Sequence, residues 1–101
     1  MSPMHITITN EQETASGWLF AAAACNASGG EWPFRIRLSW ADYNLWSPDG
    51  SDRPEAVARA ALRFLLEREP AAEIAGEFDL ARIRRRYADA DAVIPALVSR
   101  P

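Results

Sequence analysis

The chain has 101 residues, 49% of them hydrophobic and 25% charged, which is the profile of one domain spanning residues 1–101 with a single core. Its net charge of -3 argues against generic polyanion or membrane-surface binding by bulk attraction. All eleven basic residues are arginine, so lysine Schiff-base chemistry and the phosphate-loop lysine are excluded.

In chain order, "HITITN" alternates Ile6 and Ile8 with threonines, the two-residue period of a half-buried strand. "GWLFAAAAC", residues 17–25, suits helix by its four alanines and strand by Gly17, Trp18 and Phe20. Its flanks, "NEQETASG" and "NASGGEWP", have the length and composition of hairpin connections, which favours a strand. "FRIRLSW" repeats the alternation, with Phe34, Ile36, Leu38 and Trp40 expected inward. The expectation is a three-stranded antiparallel meander.

"SPDG", residues 47–50, has proline and glycine where a type I turn prefers them. A helix is then expected from Pro54 to about Glu69, opened by a capping box of Asp52 and Glu55 with proline in the first turn. Val57, Ala58, Ala61, Leu62, Phe64, Leu65 and Leu66 form its apolar arc, and Glu55, Arg59, Arg63 and Glu67 its polar strip. After Pro70, "FDLARIRRRY" reads as a second helix with Asp79 as cap and Phe78 stapling to Ile83. A last short helix around Ala92 to Val98 turns Val93, Ile94, Leu97 and Val98 inward. The fold class expected is therefore α+β: a three-stranded antiparallel meander packed against one long helix, followed by one or two short C-terminal helices.

Few groups can carry chemistry. His5 is the only histidine, so neither a Ser-His-Asp arrangement nor a histidine-based zinc site can be assembled within the chain. Cys25 is the only cysteine; it has no disulfide partner and no histidine placed by sequence to activate it. The carboxylates of Asp49, Asp52, Asp89 and Asp91 fall in turn sequence, where capping explains them. No enzyme activity, metal or cofactor is expected. A lone cysteine and the lack of a long apolar run suit a cytoplasmic protein with no membrane partner.

Two surfaces stand out. Tyr43, Leu45 and Trp46 lie in the connection before the turn, where no period assigns them to the core. They are either a lid over the core or an aromatic anchor for another protein. Arg82, Arg85 and Arg86 share one face of the second helix, opposite Leu80, Ile83 and Tyr87, with Arg84 at its flank. That cluster is either a solvated face neutralised by Glu77, Asp79, Asp89 and Asp91 or a contact for anions or nucleic acid.

"SPDGSDRPEAVARAALRFLLERE" resembles the strand-to-helix passage of HicB-type antitoxin folds, in which a sheet and a turn lead into an alanine-bearing helix opening with Pro-Glu. The resemblance covers about a third of the chain and carries over no functional residue. Such folds place a strand after this helix, where "FDLARIRRRY" reads as helix, and no separate DNA-binding domain follows. The function expected is a non-enzymatic protein-interaction or regulatory module, with a homodimer compatible. The alternative is a nucleic-acid-associated protein that uses the arginine helix.

Overall fold

The computed structural model describes residues 4–98 and is α+β. Strands β1 (His5–Thr14), β2 (Gly17–Cys25) and β3 (Glu31–Ser39) form the expected antiparallel meander. A short helix α1 (Trp40–Trp46) follows directly, then the long helix α2 (Pro54–Leu66) and a single 3-10 turn (Ala71–Glu73). Strand β4 (Glu77–Asp79), α3 (Ala81–Arg86) and α4 (Ala90–Val98) complete the chain.

The meander is thus three strands of a four-stranded mixed sheet in the order β1-β2-β3-β4. β4 pairs parallel to β3, with Ile36 opposite Phe78, and the long crossover through α1 and α2 is what a parallel neighbour requires. Glu77 was expected in the loop, and Phe78 and Asp79 as the staple and cap that open the second helix. They are a strand because the Gly76 carbonyl accepts from the Arg35 N–H at 2.7 Å and the Arg37 carbonyl from the Leu80 N–H at 2.8 Å. Across this pairing Arg35 and Arg37 face Glu77 and Asp79, and Arg37 bonds Glu77 at 3.2 Å. The helix that remains begins only at Ala81, and the Asp79 carboxylate still accepts from the Ala81 N–H at 2.9 Å.

Burial alternates along β2 and β3, so the core lies on one face of the sheet. Phe20, Ala22 and Ala24 of β2 and Phe34, Ile36 and Leu38 of β3 are buried there against Val57, Ala58, Ala61, Leu62, Phe64 and Leu65 of α2. On this face α2 lies nearest to β1. Gly17 is required where β2 begins, because a Cβ there would overlap the Leu38 carbonyl oxygen. The connection "NEQETASG" is mostly strand, since β1 continues to Thr14 after a β-bulge between Ile8 and Asn10. The second connection is a turn as expected, organised by the Asn26 carboxamide oxygen, which accepts from the N–H groups of Ser28 (3.1 Å) and Gly30 (2.7 Å).

The expected capping box is not formed. Arg53 occupies the cap position of α2 with no side-chain bond, while the Asp52 carboxylate accepts from the Ser47 hydroxyl at 2.7 Å. Proline at the first position accounts for this: it removes one of the N–H groups a cap would serve and presets the helical φ.

Candidate interaction surface

The alternation of β3 ends one residue before Trp40. Ser39 caps α1, its hydroxyl accepting from the Asp42 N–H at 3.1 Å, and the chain turns into helix at Trp40. Helical geometry then turns Trp40, expected inward, to the outside and gives Trp46 the role of the lid. Trp46 and Asp42, four residues apart, face inward at 1% and 3% exposure, whereas Trp40 and Leu45 are 46% and 43% exposed. Trp40, Ala41, Asn44 and Leu45 together make the outer arc of α1.

Each inward residue has a partner that fixes it. The Trp46 indole N–H donates to Asp91 at the start of α4 at 3.0 Å. Arg84 of α3 forks onto the same Asp91 carboxylate at 2.8 and 3.0 Å and reaches Asp42 at 3.4 Å, so α1, α3 and α4 share one ionic knot. Burial pushes the Asp42 carboxyl above its usual range, with Arg84 pulling in the opposite direction. The Tyr43 hydroxyl donates to the Asp52 and Gly50 carbonyls, tying α1 to the "SPDG" turn, where the Gly50 N–H closes on the Ser47 carbonyl at 2.9 Å.

Tyr43, half-buried, also belongs to an aromatic cluster. Trp18 of β2 lies 4.9 Å from Trp40 and 5.2 Å from Tyr43 between ring centroids, both pairs tilted. Of the three residues read as either lid or anchor, Trp46 is in the core as a lid, Leu45 is outside and Tyr43 is at the boundary. Trp40 and Trp18 complete the outer surface and were missed. The signal was Ser39-x-x-Asp42, a helix-start pattern at the end of an alternating run.

The arginine helix is largely engaged within the fold. Glu69, just beyond α2, gathers Arg82 at 3.4 Å, Arg86 at 3.6 Å and the Tyr87 hydroxyl at 2.6 Å. These bonds, led by that of Tyr87, hold the Glu69 carboxyl below its usual range despite its burial. Arg82 also lies over the Phe78 ring at 5.3 Å. The neutralising acids are therefore Glu69, Asp91 and Asp42, of which only Asp91 was anticipated; Asp89 pairs with Arg68 instead and Glu77 with Arg37. Arg85 is exposed and forms none of the ion pairs among the described residues.

Acid titration follows from this. A carboxyl depressed in the fold contributes stability that is full above its unfolded pKa, about 4.3 for glutamate, and is lost as pH falls through its lower folded value. Glu69 and Asp91 both contribute in this sense, whereas the raised carboxyl of Asp42 gains relief from the same acidification. Glu69→Gln is expected to flatten the acid limb of a stability-versus-pH curve measured by urea unfolding between pH 3 and 6. An unchanged slope would show that Glu69 does not hold this corner.

The Cys25 thiol is pushed up by burial and by Glu31, whose carboxylate its sulfur approaches at 3.6 Å, so it is a poor nucleophile. Among the described residues no cluster of three histidine, cysteine or acidic side chains is placed to hold a metal ion. No helix of those residues is long and apolar enough to cross a membrane. No protein-family model, curated protein or solved structure matches the chain.

Proposed function

We propose that the protein is a non-enzymatic interaction module whose contact surface is the outer arc of α1, bounded by Trp40 and Leu45 and extended by Trp18. One observation carries the reading: two large apolar side chains stand open on a short helix whose opposite face is fixed in the core. Tryptophan is enriched at the centres of interfaces, where a rigid aromatic contributes area at low entropic cost. Capping by Ser39, the Tyr43 hydroxyl bonds and the Arg84–Asp91 knot hold this arc in place before any partner arrives.

The double variant Trp40→Ala, Leu45→Ala tests it. Both side chains are open, so unfolding free energy should change by no more than about 1 kcal/mol. Capture of a specific protein from a nuclease-treated extract of the native host should be lost. Retention of the captured protein would remove the arc from the interface.

The second reading, a nucleic-acid contact, is supported by Arg85 and by the 63% side-chain exposure of Arg86. It is the weaker one, because Glu69 already offsets Arg82 and Arg86. Nuclease-sensitive capture that disappears in Arg85→Ala, Arg86→Ala and survives in the tryptophan variant would reverse the order.

A further inference from the structure

We infer that β1 is the contact strand of a twofold dimer, its edge pairing antiparallel with β1 of a second copy. β1 is one edge of the sheet, ten residues long, and no described strand pairs along its outer side. The opposite edge, β4, is only three residues long and its Glu77 is tied to Arg37, so it offers little to a partner. An unpaired long edge is a template for another strand; β1 contains no proline, and its bulge between Ile8 and Asn10 leaves residues 5–8 and 10–14 as regular runs on either side.

The choice of a second copy rests on charge. Before the bulge, Ile6 and Ile8 pair with Ala24 and Ala22 and so face the helix layer. After it, the register puts Glu11 opposite Phe20 and Glu13 opposite Trp18, which places both carboxylates on that same face at the far end of the strand. Both are exposed and neither is in an ion pair among the described residues. At the other end, the Arg63 guanidinium of α2 donates to the Met4 carbonyl at 3.4 Å and so lies over the amino-terminal end of β1. Arg59 stands one turn earlier on α2, and among the described residues neither arginine is in an ion pair. The helix face of β1 therefore runs from an arginine-topped end to an acidic end.

An antiparallel second copy brings each acidic end to the other copy's arginine-topped end, on the same side of one continuous sheet. The contact is isologous: Glu11 and Glu13 of each copy meet Arg59 and Arg63 of the other. Backbone hydrogen bonds along the edge supply the attraction, and the charges select the antiparallel sense.

Charge exchange tests this without an unknown ligand. Sedimentation equilibrium of the full chain across the micromolar range should show a monomer–dimer equilibrium. Glu11→Arg, Glu13→Arg in one variant and Arg59→Glu, Arg63→Glu in another should each weaken self-association at least tenfold, with circular dichroism unchanged. An equimolar mixture of the two should restore the dimer as a heterodimer, because both mixed contacts again pair opposite charges. A variant that fails to fold could not take part in restoration, so the mixture also separates folding from contact. Restoration supports the twofold edge. A wild-type monomer throughout, a dimer indifferent to all four changes, or a dimer lost in Trp40→Ala, Leu45→Ala would overturn it.

Discussion

Trp46→Ala is expected to lower unfolding free energy by about 3 to 5 kcal/mol, the range for deleting a large aromatic from a packed core. For a domain of this size that corresponds to a fall in melting temperature of roughly 10 °C or more. Two losses combine. The indole is 1% exposed, so its removal leaves a cavity between α1 and the core. It also takes away a hydrogen-bond donor to Asp91, although Arg84 still forks onto that carboxylate. Trp46→Phe separates these effects: keeping most of the volume and losing only the N–H should leave a cost of about 1 kcal/mol. Urea unfolding followed by circular dichroism gives both numbers. A change within error for Trp46→Ala would mean that the inner face of α1 is not packed.

The second large effect is expected in α2. Leu65→Ala should cost about 2 to 5 kcal/mol, because Leu65 is fully buried in the same core as Phe20, Ile36 and Leu62. The neighbouring Leu66, only partly buried, is the control, and Leu66→Ala should cost less than half as much. Equal costs at the two positions would show that the helix packs by a rotated face. These two positions test different elements of the molecule, since Leu65 reports on the burial of α2 and Trp46 on that of α1.

What could be read from the residues alone follows the reach of each interaction. β1, β3 and α2 were legible because alternation and first-turn proline are local signals that their packing reinforces, whereas β2, whose four alanines suit helix, was favoured as a strand only by its flanking turns. β4 was not: a lone Phe78 between Glu77 and Asp79 has no period, and only pairing with β3, some forty residues earlier, makes it a strand. The extension of β1 through "NEQET" escaped for a similar reason, since polar residues there are held by the ladder to β2 and by no apolar face.

The contact surface was half legible. An unusual density of aromatics marked residues 43–46, but which of them faced outward depended on where strand became helix. Trp40 satisfied the strand period and the first position of a helix equally well. Placing the change at Ser39 turns Trp40 outward and settles Trp46 as the lid. The arginine helix illustrates the converse, because the acid that offsets Arg82 and Arg86 is Glu69, separated from them by the loop and β4 and invisible to any local charge pattern.

The division between a structural Trp46 and an open Trp40–Leu45 arc is the centre of the functional reading. Photo-crosslinking inside the native host tests it most directly, with a light-activated amino acid placed at Leu45 in one variant and at Arg85 in another. The result expected is a discrete protein adduct from Leu45 and none from Arg85. Nucleic-acid adducts from Arg85, with Leu45 silent in a folded variant, would contradict it.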